Sequence, residues 1–281
     1  MYMGIPILVS GLLGETLNTI VFLSLETFRQ SSCAFYLTVM SFVNIGQLLT
    51  SLFPRIMTNG FGVDWTETSS FYCKFRIYIL QFSALMSCTC MCLATVDQFF
   101  ETSSNARWQR LRHIRIARIL CFAFAVLWSC QGIPYLFYLN LVPLPGTREL
   151  FCNFTSYFLL QYFNYVCIIV LVGLVPVVIT LVFAWLAYEN IQQSTHRTVP
   201  LVRRALDKQL TMMVLFQVMY DCVTTLPYIV LFIIMRDPTI AHDPLRNEQF
   251  KLASALLVNL YYLHYAVRID RSFVWERWNS F

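Results

Sequence analysis

The sequence predicts an all-α membrane protein, a bundle of seven transmembrane helices whose N-terminus lies outside. Only 12% of the 281 residues are charged and 58% are hydrophobic, whereas an ordinary soluble domain carries about 25% charge. The charges also cluster, which leaves seven long stretches almost free of them. In a bilayer such stretches must be helical, because unpaired backbone groups are too costly there.

The lengths of these stretches set the predicted helices, since about 20 apolar residues are needed to cross the hydrocarbon core. Six stretches reach that length and the last is marginal. They are 1–25 with Glu15 alone charged, 30–54, 77–96, 119–147, 150–188, 209–235 with Asp221 alone charged, and 252–267. We expect one domain over residues 1–281, with helices at about 3–25, 34–57, 71–97, 115–139, 157–188, 207–235 and 250–267.

The first segment has an alternative interpretation as a signal peptide. It lacks a basic start and a small-residue cleavage site, and it is longer than such a peptide. We therefore interpret it as the first membrane helix.

The ten cysteines fall into two groups. Cys88, Cys90 and Cys92 alternate within the third segment, so they do not converge as metal ligands must, and we expect no metal site. Cys73 and Cys152 both fall on the outer side, which is an oxidising compartment. We predict a disulfide between them, and Asn153 in the sequon "NFT" as a glycosylation site on the same side.

The basic residues predict the orientation. With the N-terminus outside, the inner loops and tail hold 13 of the 20 Lys and Arg residues, as short cytoplasmic loops usually do. The net charge of +5 is therefore a topology signal. The stretch "RWQRLRHIRIAR" joins two membrane helices, so its partner is the anionic inner leaflet of the bilayer and not a nucleic acid.

Two acids lie within membrane segments, where charge is costly and usually faces the bundle interior. Asp221 precedes Pro227 by six residues, and Glu15 lies in the first segment. One interpretation is a polar or proton-linked switch in the core. The other is a protonated carboxyl that neighbours such as Asn44 or His264 satisfy. Pro54, Pro134, Pro176 and Pro227 are expected to kink their helices, because proline lacks the backbone N–H.

These features together resemble a rhodopsin-like (class A) G-protein-coupled receptor over nearly the whole chain. In that family the third-helix cysteine stands 25 residues before the arginine of an Asp-Arg-Tyr motif, and that count from Cys73 reaches Gln98. "DQF", formed by Asp97, Gln98 and Phe99, thus replaces the motif. Trp128, Pro176 and Pro227 match family positions in the fourth, fifth and sixth helices.

The first two segments also resemble family motifs. "YLTVMSFVN" is similar to the second-helix motif, with Asn44 in place of its aspartate, which puts the family's sodium site in question. "GETLN" resembles the first-helix Gly-Asn motif, and either Glu15 or Asn18 takes the place of the asparagine.

Other departures concern signalling. Asp207 stands where many members have an acid that pairs with the motif arginine, and Gln98 can offer it only a hydrogen bond and no bidentate ion pair. Thr225 replaces the tryptophan two residues before Pro227, and the Asn-Pro-x-x-Tyr motif is absent from the seventh segment.

The resemblance implies a plasma-membrane receptor that binds an extracellular peptide or small molecule and signals to a heterotrimeric G protein. Family pocket positions correspond to Arg76, Leu80, Gln81 and Tyr228, and Leu80 in place of an aspartate disfavours amine ligands. No catalytic residue or cofactor is expected.

Two alternatives remain open. A transporter or channel would use Asp221, Glu15 and His264, although no inverted repeat is present. A receptor-like protein with impaired coupling would explain the missing arginine. An enzyme is disfavoured, because no His-Glu-x-x-His or Gly-x-Ser-x-Gly motif occurs.

Overall fold

Seven long helices follow one another in the computed structural model, which describes residues 3–24, 31–103, 106–109, 113–143, 150–193, 201–234 and 244–266. We number them α1 to α7. They are α1 (Gly4–Ser24), α2 (Ser32–Phe61), α3 (Ser70–Thr102), α4 (Ile114–Tyr138), α5 (Tyr157–Gln161 continued by Tyr162–Leu174 and Val175–Gln193), α6 (Leu201–Ile234) and α7 (Pro244–Ala266).

Six segments of the described chain are long and apolar enough to cross a membrane, and they lie in α1 to α6. The apolar part of α7, Leu252–Leu263, is shorter, which agrees with the marginal length of the last charge-poor stretch. The chain therefore has the helices of a seven-transmembrane bundle.

α3 is the central helix of the bundle. It packs against α2, α4, α5 and α6. α1 packs against α2 and α7, and α6 packs against α5 and α7. We call the end of the bundle near Cys73 the disulfide end and the opposite end the Asp97 end.

Several helices extend past the predicted membrane segments. α3 continues beyond Asp97 to Thr102, and α6 begins at Leu201, six residues before the predicted start. Hydropathy marks only the part of a helix that lies in lipid, whereas lysine and arginine are good helix formers in water. Helix starts carry side-chain caps: Ser31 accepts from the Ala34 N–H, and Ser69 accepts from the Tyr72 N–H.

α2 and α5 contain π-helical stretches that the sequence did not predict. They are Leu48–Leu52 and Met57–Phe61 in α2, and Tyr162–Leu174 in α5. Pro54 and Pro176 each come two residues after such a stretch. A proline cannot donate the i→i−4 hydrogen bond, so wider turns beside it are one way for the helix to accommodate the missing bond.

A β-hairpin lies between α4 and α5, where the sequence indicated a loop. Strands β1 (Leu139–Pro143) and β2 (Leu150–Phe154) pair antiparallel, with Leu141 opposite Cys152. The hairpin was hidden because both strands belong to apolar stretches that hydropathy alone cannot divide. Cys73, Tyr135 and Leu139 form a small buried cluster beneath it.

Two larger buried clusters fill the bundle. One contains residues of every helix from α1 to α6, lies toward the Asp97 end and includes Met40, Cys90, Ala94 and Val218. The other joins α1, α2 and α7 and includes Leu48, Leu52, Val258 and Tyr262. α3 and α4 approach closely at Gly132, where an added Cβ would lie 2.7 Å from the ring of Tyr78.

Candidate functional site

A buried polar junction connects α1, α2 and α3 in the middle of the bundle. The Asn44 amide Nδ2 donates to Glu15 Oε1 at 2.8 Å, and the Ser87 hydroxyl donates to Asn44 Oδ1 at 2.6 Å. Glu15 and Asn44 are both fully buried. Asn44 is one of the two neighbours proposed from the sequence for Glu15, while the side chain of His264 lies outside the described residues.

The junction also decides which residue of "GETLN" meets helix α2. Glu15 makes the contact with Asn44, whereas Asn18 is half-buried. The carboxyl group therefore stands on α1 and the amide on α2. Nothing in the sequence marked Ser87, which is one of several small polar residues in α3.

At the Asp97 end, Asp97 is held by a residue that the sequence did not single out. The Ser32 hydroxyl donates to Asp97 Oδ1 at 2.7 Å, and both side chains are buried. Gln98 beside it is 1% exposed. Asp207 belongs to α6, but its side chain lies outside the described residues, so the contact between Gln98 and Asp207 stays a prediction.

Aromatic rings surround this end of α3. Phe99 packs edge-on against Phe183 of α5, with ring centroids 5.5 Å apart, and Phe100 stacks on Trp108 at 5.2 Å. Trp108 lies in a short helix, Ala106–Gln109, that follows α3. Phe99 of "DQF" therefore contacts α5, and ring packing joins the Asp97 end of α3 to its neighbours.

Asp221 lies in α6, six residues before Pro227. The Thr225 hydroxyl donates to Asp221 Oδ1 at 3.3 Å, and the carboxyl interacts electrostatically with Cys88 and Cys92 of α3. Asp221 is half-buried, and Pro227 lies inside the same helix. These contacts place the acid at the interface between α6 and α3.

At the disulfide end, Cys73 and Cys152 form a disulfide with their Cα atoms 5.8 Å apart. The bond ties the first turn of α3 to strand β2 of the hairpin. Asn153 lies in the same strand, opposite Asn140, and the hydroxyl of the sequon residue Thr155 donates to the Tyr138 carbonyl at 3.0 Å.

Arg76 of α3 reaches across to α2. Its Nε donates to the Thr50 carbonyl oxygen at 3.0 Å. In an α-helix that carbonyl would accept from the residue four positions later, which here is Pro54 and has no N–H. Thr50 lies in the π-helical stretch Leu48–Leu52, so Arg76 adds a side-chain donor to a carbonyl whose α-helical partner would have been a proline, a role the sequence did not predict.

A second backbone carbonyl that stands four residues before a proline also accepts a hydrogen bond from a side chain of α3. The Cys88 thiol of α3 donates to the Val172 carbonyl of α5 at 3.9 Å, and Val172 precedes Pro176 by four positions. A thiol is a weak donor. α3 therefore supplies a side-chain donor to the proline-interrupted turns of both α2 and α5.

Tyrosines of α6 and α7 lie near the same end as Arg76. Tyr228 and Tyr261 are stacked with centroids 6.1 Å apart, and the Tyr262 hydroxyl is hydrogen-bonded to Ser51 of α2. Of the other pocket residues predicted from the family, Leu80 is half-buried and Gln81 is buried on α3.

Asp64 lies in the connection between α2 and α3. It caps the short helix Trp65–Thr68 by accepting from the Thr66 N–H at 2.8 Å. Burial would raise the pKa of Asp64, but hydrogen bonds from Thr66 and Thr58, together with the charge of Arg76, hold it below its ordinary value.

Comparison with known proteins adds one finding. The model of a family described as the seven-transmembrane receptor (rhodopsin family) matches residues 17–267, which is most of the chain. No curated protein matches the sequence.

Proposed function

Because the chain belongs to the rhodopsin family of seven-transmembrane receptors, a family of multi-pass plasma-membrane proteins, we propose that it binds an extracellular ligand at the disulfide end and activates a heterotrimeric G protein at the Asp97 end. The observation that carries the proposal is the family match over residues 17–267. It favours a receptor over a transporter or channel built around Asp221 and Glu15.

The contacts at the Asp97 end support a signalling role. Asp97 is held by the Ser32 hydroxyl, and the neighbouring rings of Phe99 and Phe183 are in van der Waals packing. Both kinds of contact break and re-form without a large cost, since a hydrogen bond contributes about 0.5–1.5 kcal/mol net. A ligand needs only a few kcal/mol of preference for the active packing to shift such an equilibrium.

Gln98 defines how this receptor differs from its family. With glutamine in place of the arginine, the resting state lacks the charge-assisted pairs that the motif arginine makes. We expect coupling to survive with a weaker resting contact, so that the protein has measurable activity without ligand. The runner-up is a receptor-like protein that folds but couples poorly.

Nucleotide exchange tests the proposal without a known ligand. The full chain, purified into lipid nanodiscs, is mixed with G proteins from each main Gα class, and binding of a labelled GTP analogue is followed. We expect faster exchange on at least one class, and Gln98→Arg is expected to lower this basal rate. Cys130→Ser is the matched control, because Cys130 is exposed on the outside of α4.

One result would overturn coupling, and a second would overturn only the role assigned to Gln98. One is exchange no faster than with empty nanodiscs for every class, both for the native chain and for Gln98→Arg. The other is an equal rate in Gln98→Arg and the native chain, which would remove the role assigned to Gln98. An increase restricted to Gln98→Arg would support the poorly coupling alternative.

The orientation is part of the proposal, and it is the basic loops of the sequence that favour an N-terminus outside. We expect glycans on Asn153, visible as a mass decrease after glycosidase treatment that Asn153→Gln abolishes. A sequon inserted after Trp108, in the basic connection between α3 and α4, serves as the opposite-side control. Modification of the inserted sequon with none at Asn153 would reverse the orientation.

A further inference from the structure

Two arginines and three tyrosines from four helices lie together toward the disulfide end. We call Arg55, Arg76, Tyr228, Tyr261 and Tyr262 the arginine–tyrosine cluster. The charges of Arg55 and Arg76 both act on Tyr262, and that of Arg55 also acts on Tyr228. Arg55 is exposed and stands four residues after Ser51, which is hydrogen-bonded to Tyr262 of α7, so it lies on the side of α2 that faces α7.

Arg76 is fixed in direction but retains most of its donors. A guanidinium has five N–H donors, and the hydrogen bonds found among the described residues use the Nε proton alone. The bond to Thr50 orients the plane of the group and leaves four Nη protons for a ligand. A guanidinium group oriented in this way matches a carboxylate, which can accept two parallel hydrogen bonds from it.

The positive charge of the cluster exceeds the negative charge around it among the described side chains. Asp64 is the acid that the charge of Arg76 reaches, and its carboxylate already accepts from Thr66. No ion pair involving Arg55 is found among the described residues. Arg55 is exposed and Arg76 is half-buried, so both guanidinium groups remain open to an anion, which would pair charges that are costly near a membrane when unpaired.

The tyrosines add an aromatic wall beside the two charges. Tyr228 and Tyr261 are stacked with an interplanar angle of 24°, and Tyr262 meets Tyr261 edge-on at 5.5 Å. Tyr262 is held in place by its hydrogen bond to Ser51. Rings prefer offset-stacked or edge-on partners at these distances, so the wall suits a planar group.

We propose that the arginine–tyrosine cluster binds a small aromatic carboxylic acid, with the carboxylate on Arg76 and Arg55 and the ring against Tyr228 and Tyr261. The proposal rests on the proposed function for the premise that this end of the bundle takes a ligand. It deepens that function by assigning the ligand an acidic group, in agreement with the absence of an aspartate at Leu80.

A binding experiment without G protein tests this proposal. The purified full chain is titrated with benzoate, phenylacetate and 3-phenylpropionate, and the melting temperature is followed with a thiol-independent fluorescence probe. The matched amides benzamide, phenylacetamide and 3-phenylpropionamide serve as neutral controls. At about ten times its Kd, the best acid should raise the melting temperature by about 2–4 °C, and its amide should not.

Two variants assign the effect to residues. Arg55→Gln should remove more than about half of the acid-dependent shift, since one of two charge-assisted contacts is lost. Arg76→Gln should abolish the shift, and if that variant fails to fold, Arg55→Gln still decides the test. Arg115→Gln, at an exposed position at the start of α4, should leave the shift unchanged.

The proposal is overturned if no acid in the series stabilises the protein, or if acids and amides stabilise it equally. It is also overturned if Arg55→Gln and Arg115→Gln behave alike. Absence of nucleotide exchange together with a selective acid shift would leave the binding site intact and count against coupling alone.

Discussion

Pro54 in α2 and Pro176 in α5 both lack a backbone N–H, and near each of them a side chain of α3 donates a hydrogen bond to a backbone carbonyl. Each removes the N–H that the carbonyl four residues earlier would accept, and each follows a π-helical stretch. α3 supplies a guanidinium to Thr50 at 3.0 Å and a thiol to Val172 at 3.9 Å. The two donors differ greatly in strength.

The difference in donor strength indicates which of the two proline-containing turns is held more firmly by α3. A hydrogen bond from a charged donor contributes about 1.5–3 kcal/mol, whereas a thiol is a weak donor. Arg76 also lies three residues after Cys73, which the disulfide fixes to the hairpin, while Cys88 lies mid-helix near Asp221. We therefore expect the α2 turn to be held more firmly than the α5 turn.

Loss of the disulfide should have the largest effect, because it anchors the donor of the α2 turn. Removing a native disulfide typically costs about 2–5 kcal/mol, so Cys152→Ser should strongly reduce surface expression and lower the melting temperature. Cys130→Ser controls for loss of a thiol. Unchanged expression and melting of Cys152→Ser would show that α3 does not need this anchor.

Arg76→Leu should have the next largest effect. It removes the hydrogen bond from the guanidinium to the Thr50 carbonyl, and a hydrogen bond from a charged donor contributes about 1.5–3 kcal/mol. The measurement is thermal unfolding in the same nanodiscs, with Arg115→Leu as the control at an exposed site. Equal melting of the two variants would mean that Arg76 has no structural role.

Pro54→Ala sharpens the assignment, since it returns an N–H to the position that faces Thr50. In the Arg76→Leu background this substitution should recover at least about half of the lost stability, because a backbone donor can replace the guanidinium. A double mutant as unstable as Arg76→Leu would separate the proline from the arginine.

Cys88→Ala should have the smallest effect, about 0.5 kcal/mol or less, because only a weak hydrogen bond is lost. Cys92→Ala on the same helix is the control for cavity formation. If Cys88→Ala lowers the stability as much as Arg76→Leu does, then α3 stabilises the two turns equally and the expected difference between them is absent.

The sequence predicted the helices better than their internal geometry. Charge-free stretches locate membrane helices because charge is costly in lipid; each of the seven stretches contains a helix, and six of these helices are long and apolar enough to cross a membrane. The π-helical stretches and the hairpin carry no comparable signal, since apolar residues suit an α-helix, a π-helix and a buried strand equally.

The candidate site shows the same limit. Counting by the family's spacing from Cys73 reached Gln98 and its neighbour Asp97, but the partners Ser32, Thr50 and Ser87 come from other helices or from residue types too common to stand out. Motif searches do not reveal backbone acceptors such as the Thr50 carbonyl. A proline four residues later does show, however, that the α-helical donor of such a carbonyl is missing.

The junction of Glu15 with Asn44 bears on how relatives of this protein should be compared. The family has an asparagine on its first helix and an aspartate on its second, whereas here the carboxyl is on α1 and the amide on α2, still hydrogen-bonded at 2.8 Å. Judged one column at a time, both positions look like losses. Judged as a pair, they still bring one carboxyl group and one amide together with their helices exchanged, so the two positions are best compared jointly.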